Sequence, residues 1–106
     1  MDFEVPRNPR YKLRMENDEL PKALIERYLD RRVADVEVLE ASLTSGSGDE
    51  FRRIGHQLAG NLSSFGFPEA EGIAREMEAL LDSEVREKGQ RLLADFKAWL
   101  QTHRPT

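Results

Sequence analysis

His56 stands in the segment His56-Gln57-Leu58-Ala59-Gly60-Asn61-Leu62-Ser63-Ser64-Phe65-Gly66-Phe67. Its imidazole is the side chain here best suited to nucleophilic or proton-transfer chemistry near neutral pH. Phe51, Ile54, Leu58, Leu62 and Phe65 recur at steps of three and four, the period of a helix with one buried face. At about 100° per residue, His56 falls roughly 140° from the centre of that stripe, Gly60 about 180° and Ser63 about 120°. The ring should therefore face water. Gly60 follows one turn later on the outward side, where a glycine gains nothing from packing and costs about 1 kcal/mol relative to alanine. A surface kept that low suits close approach of another molecule to the ring.

Position alone also fits a plain surface histidine beside tolerated small residues, so the other chemistry-bearing side chains have to be weighed. Arg52 lies one turn before His56, about 100° from the stripe centre, and Arg53 near 200°. Either could attract a phosphate or an acidic partner surface, although exposed arginines are usually just solvated. Arg75 and Lys88 are weaker candidates, and Gln57 reads as surface. His103 falls in the last turn of the last helix, where a histidine suits the negative end of the dipole. Two histidines so far apart, without spaced acidic partners, make no metal site. No Gly-rich phosphate loop, nucleophile elbow or paired-carboxylate motif occurs.

Composition bounds the reading. The 106 residues suffice for one domain with a modest core. The absence of cysteine excludes disulfides and thiolate metal sites. No apolar run approaches the ~20 residues that cross a bilayer, and Met1-Asp2-Phe3-Glu4 lacks the basic and apolar regions of a signal peptide. The expectation is a soluble cytoplasmic protein. A formal charge of −4, with 34% charged residues of both signs, disfavours nonspecific nucleic-acid binding and leaves proteins as the expected partners.

Four elements would position the histidine. Residues 1–16 contain Pro6 and Pro9 among basic residues, without sustained periodicity, and read as an N-terminal arm. Asn17 or Asp18 can cap a first helix, with Glu19 and Pro21 in its first turn, running to about Leu43 with Leu20, Leu24, Tyr28, Val36, Leu39 and Leu43 near one face. Ser45-Gly46-Ser47-Gly48 breaks it. Asp49 is the expected cap of a second helix over about 50–65, closed by Gly66. Pro68 opens a third over about 68–82, with Ile73, Ala74, Met77, Leu80 and Leu81 on its apolar face. A fourth, over about 84–102, repeats Val85, Leu92, Phe96, Trp99 and His103. The spacing predicts an all-α, antiparallel up-down-up-down four-helix bundle over residues 17–103. Met77, Phe96 and Trp99 are expected in its core.

The segment around His56 resembles the histidine-containing phosphotransfer (HPt) family, whose signature is H-x-x-K-G followed by a second glycine ten residues after the histidine. His56, Gly60 and Gly66 occupy the histidine and both glycine positions. Phe65-Gly66-Phe67 is similar to the version in the phosphotransfer domain of chemotaxis histidine kinases. Ala59 stands where the family usually has lysine, a departure that bears on any cationic help to a phosphoryl group from this position. The resemblance implies the same four-helix bundle, and phosphoryl transfer to and from the imidazole of His56. It also implies that Glu78 is the carboxylate that orients the ring and fixes its tautomer. Gly60, Ser63, Ala59 and Arg52 are then the expected docking residues.

The implied protein is a phosphorelay carrier rather than an enzyme. It would work as a monomer between receiver-domain aspartates of response regulators, or take the group from a histidine kinase. It would hold no cofactor of its own, with Mg²⁺ supplied by the receiver partner. The alternative is an HPt-like interaction module that binds a receiver or kinase domain without being phosphorylated, and Ala59 is the residue that sustains it. The chain could also be part of a longer signalling protein.

Overall fold

The computed structural model describes residues 21–104, which form four helices and, among the described residues, no strand. They are α1 (Lys22–Ser45), α2 (Gly48–Phe65), α3 (Pro68–Glu78) and α4 (Asp82–His103), and together they make a four-helix bundle. The N-terminal arm, the expected cap at Asn17 or Asp18, Glu19 and Leu20 lie outside the described residues. Pro21 is not inside the first turn but at the N-cap position, with φ −57° and ψ 135°. There its missing N–H is no loss, and its carbonyl accepts from the N–H groups of Leu24 (3.0 Å) and Ile25 (3.2 Å).

The connectors are short, and the first two are each built on a left-handed glycine. α1 runs to Ser45, two residues past the expected end, and stops at Gly46 with φ 79°. The N–H of Ser47 then donates to the carbonyl of Ser42 at 2.9 Å. Ser47, rather than the expected Asp49, caps α2: its hydroxyl accepts from the N–H of Glu50 at 3.3 Å. Asp49 and Glu50 instead sit in the first turn, where their charge suits the positive end of the dipole. Gly66 closes α2 as expected, with φ 79°, a conformation that costs a residue with a Cβ about 1–2 kcal/mol.

The interior is apolar apart from Ser42, whose hydroxyl donates to the Leu39 carbonyl at 2.8 Å. Leu39, Phe51, Leu62, Ala70, Ala74, Met77 and Phe96 are fully buried. Tyr28, Leu29, Ile54, Leu58, Leu92, Leu93, Trp99 and Leu100 belong to the same cluster. Along α1 and α4 the partners run in reversed order: Leu43 faces Gly89, Glu40 pairs with Lys97 at 2.9 Å and Asp30 with Arg104 at 3.0 Å. At one end, Tyr28 stacks on Phe65 with centroids 4.0 Å apart. Phe67 meets the edge of Trp99, and Trp99 stacks on His103 at 4.4 Å. His103 also donates from Nδ1 to the carbonyl of Trp99 at 2.9 Å, so it serves the helix end.

α3 is shorter than its apolar pattern predicts. It stops at Glu78; Leu80 drops into the core, whereas Leu81, expected on the buried face, is 65% exposed. The cause is local. Leu81 turns extended as the N-cap of α4, and its N–H donates to the Glu84 carboxylate at 2.8 Å. That bond, followed by Lys88, holds the Glu84 carboxyl below its ordinary range. α4 therefore begins at Asp82, two residues earlier than expected. None of the helices among the described residues is long and apolar enough to cross a membrane.

Candidate functional site

α2 presents one face to the core and the other to solvent, and His56 stands on the second. Phe51, Ile54, Leu58 and Leu62 are all buried, while the His56 side chain is 72% exposed. This is the separation that the three-and-four spacing dictates. An ideal Cβ built on Gly60 meets nothing within 4 Å. Ser64 folds its hydroxyl back onto the Gly60 carbonyl at 3.2 Å, and Gln57 and Asn61 flank this strip as exposed residues. The ground beside the ring is low.

Glu78, the last residue of α3, reaches across to the ring: its Oε2 lies 2.7 Å from His56 Nδ1. An ionised carboxylate can only accept, so Nδ1 carries the hydrogen, and in the neutral ring Nε2 keeps its lone pair. That nitrogen points away from the contact and is the one open to an incoming group. Glu78 is itself only 38% exposed, being held at the seam between two helices. The bond joins residues 22 apart in the chain and depends on how closely α3 lies against α2.

Gly55 lies in that seam, facing the backbone of α3. A Cβ there would lie 2.9 Å from Met77 Cβ, 3.1 Å from the Ala74 carbonyl oxygen and 3.1 Å from the Glu78 nitrogen. The sequence carries a signal for this: at about 100° per residue Gly55 falls roughly 40° from the stripe centre, on the buried side, where a glycine marks close approach of another helix. With the buried Ala70 and Ala74 opposite, α3 offers a low surface of its own.

Two of the expected docking residues are elsewhere. Ala59 is 2% exposed and belongs to the core; it lies roughly 80° from the stripe centre, close enough for neighbouring helices to cover so small a side chain. Arg52 is half-buried at the surface, and its guanidinium is taken up by partners within the chain. Its guanidinium bonds Asp49 at 2.7 Å, Asp82 at 2.7 Å and the Leu80 carbonyl at 3.3 Å. It ties α2 to the start of α4 and satisfies a carbonyl left free after α3 ends. Ser63 is half-buried. Arg53 pairs with Glu50 at 2.6 Å, Arg75 with Glu71 at 2.6 Å and Lys88 with Glu84 at 2.8 Å, all on exposed helix faces.

The comparisons agree with this geometry at the level of the family. The model described as Hpt domain matches residues 23–104, from the second residue of α1 through the residue after α4. No curated protein and no solved structure matches the chain. With all four helices but the first residue of α1 inside that match, the chain belongs to the Hpt domain family.

Proposed function

We propose that this Hpt domain carries a phosphoryl group on Nε2 of His56, taking it from and returning it to aspartates of receiver domains in a two-component phosphorelay. The observation that carries the reading is the 2.7 Å contact from His56 Nδ1 to Glu78 on a ring that is otherwise open. In the forward step the Nε2 lone pair attacks phosphorus of the aspartyl phosphate. The N–P bond forms, the acyl P–O bond breaks and the receiver's carboxylate leaves with the electron pair. The phosphorylated ring keeps its Nδ1 hydrogen, and the Glu78 carboxylate beside it offsets the charge that develops there. Ring orientation is held from one side only, so the other stays accessible to the partner.

The domain supplies a positioned nucleophile and little else. Mg²⁺ and the remaining charge stabilisation come from the receiver, which makes the protein a carrier rather than a catalyst with its own turnover. The strip of Gly60, Ser64 and Gln57 beside His56 is where the receiver's active-site rim docks. A histidine kinase domain is the other partner class from which the group can come.

Burial of Ala59, where the family usually has lysine, favours one second reading: an HPt-like module that binds a receiver or kinase without accepting phosphate. One experiment separates the two. The protein is incubated with a phosphorylated receiver domain and, separately, with phosphoramidate, and the product is mapped by mass spectrometry. The expected result is an acid-labile, base-stable label on His56. A folded, receiver-binding protein that stays unlabelled by both donors would establish the second reading instead.

A further inference from the structure

We propose that Gly55 is a positioning residue for His56: by admitting α3 to close range it sets the contact between Glu78 and the ring. The inference deepens the reading of His56 as phosphoacceptor and rests on it. Of the three atoms that a Cβ at Gly55 would meet, Ala74 O and Glu78 N belong to the α3 backbone and Met77 Cβ is fixed to it. None can rotate aside. Met77 and Ala74 are fully buried, so the added Cβ is accommodated by a shift of α3 and α2 relative to each other. Glu78 directly follows Met77 on that helix, and its backbone nitrogen is among the three atoms. Moving α3 lengthens and tilts the 2.7 Å bond from Glu78 to Nδ1, and hydrogen bonds weaken as they leave the range of about 2.7–3.2 Å and lose linearity.

The other glycines show that this is not a general property of the bundle. Gly60, one turn on, has open space around it, and a Cβ at Gly89 would meet only the ends of the Leu43 and Phe51 side chains. Gly89→Ala thus perturbs packing without touching the α2–α3 seam. It serves as the control for stability alone.

The test uses the full chain with Gly55→Ala, Gly89→Ala, Glu78→Ala, Glu78→Asp and the Gly55→Ala/Glu78→Ala double variant. Three readouts are taken: thermal unfolding, the His56 tautomer from ¹⁵N NMR, and the rate of labelling by phosphoramidate, which needs no docking partner. Gly55→Ala should lose the Nδ1–H tautomer preference and slow labelling by at least about fivefold, while Gly89→Ala keeps both. In the Glu78→Ala background Gly55→Ala should add less than about twofold, because the group it positions is gone. Glu78→Asp leaves the helix seam untouched and shortens the reach by one methylene. It should reproduce the tautomer loss even if Gly55→Ala folds poorly.

Retention of the wild-type tautomer in folded Gly55→Ala or in Glu78→Asp would overturn the proposal, as would equal slowing by Gly55→Ala with and without Glu78. Should wild-type protein take no label at all, the phosphoacceptor reading fails, and the NMR arm still decides whether Gly55 sets the Glu78 contact.

Discussion

Ser64 turns its hydroxyl back onto the carbonyl of Gly60 at 3.2 Å, so the residue one turn beyond the glycine adds no outward bulk. Together they keep a low step on the exposed side of α2, leading away from His56. The intrahelical bond occupies a hydroxyl that would otherwise have to be desolvated when a partner covers it. Small size and internal satisfaction act in the same direction here.

Gly60→Gln should therefore leave the fold intact or stabilise it by about 0.5 kcal/mol, since the site is open and glutamine is the better helix former. Transfer from a phosphorylated receiver should slow by about tenfold or more as the longer side chain obstructs approach, while labelling by phosphoramidate stays near wild type. Stopped-flow transfer and thermal unfolding check the two halves. Equal slowing with both donors would move the role of Gly60 from docking to the ring itself.

His56→Gln should abolish labelling by either donor and change stability by no more than about 0.5 kcal/mol, because an exposed ring makes few buried contacts. Intact-mass measurement after incubation and a denaturant titration provide the readout. A phosphorylated His56→Gln protein would place the chemistry on another residue.

Glu78→Ala should slow labelling by about 10- to 100-fold without eliminating it, through loss of orientation and tautomer control. Glu78→Gln keeps an amide oxygen that can accept from Nδ1–H and should lose less. The order wild type, Gln, Ala is the expected ranking, and the ¹⁵N tautomer signature of His56 should follow it.

The sequence carried the periodic features and missed those made across helices. Phe51, Ile54, Leu58 and Leu62 on one side of α2 and His56 on the other follow from angular spacing alone. Gly66 and Pro68 mark their turn because left-handed φ and a fixed proline φ are properties of single residues. The cap of α2 was harder: Ser47 and Asp49 can both accept from a helix N-terminus, and only the path of the chain after Gly46 decides between them. Leu81 looked like core because α3 was extended through it, whereas the bond from its N–H to Glu84 starts a new helix there. Arg52 looked available because its partners Asp82 and the Leu80 carbonyl come from a distant stretch of chain.

Arg52→Ala should lower the melting temperature, as it removes the tie between α2 and the start of α4 and frees the Leu80 carbonyl. At a temperature where both proteins are fully folded, transfer from a receiver should stay within about twofold of wild type, since the guanidinium is already occupied by Asp49, Asp82 and the Leu80 carbonyl. A large loss of transfer in folded protein would return Arg52 to the docking surface.

Tyr28 gives the bundle an alkaline limit. Burial pushes its phenol from 10.0 up to about 12, with Arg32 acting in the opposite direction. The folded state thus holds this proton more tightly than the unfolded state. The corresponding stability is present below pH 10 and is lost as pH rises from 10 toward 12. Tyr28→Phe should remove that part of the alkaline fall. Near neutral pH it should change stability by less than about 1 kcal/mol, because the hydroxyl is buried without a hydrogen-bond partner among the described residues. Denaturant titrations at pH 7 and pH 11 measure both effects.

The packing of Trp99 has a spectroscopic consequence. It is the sole tryptophan of the chain, 6% exposed and held between Phe67 and His103 in the aromatic group that also gathers Phe65 and Tyr28. Its aromatic partners Phe67, Phe96 and His103 do not include His56. Its fluorescence is an intrinsic gauge of whether the bundle is assembled, and it should respond to unfolding while remaining indifferent to a charge added on the far face of α2. A variant that keeps the native emission maximum but loses its label has been altered in its chemistry, whereas one whose emission shifts red has first lost its architecture.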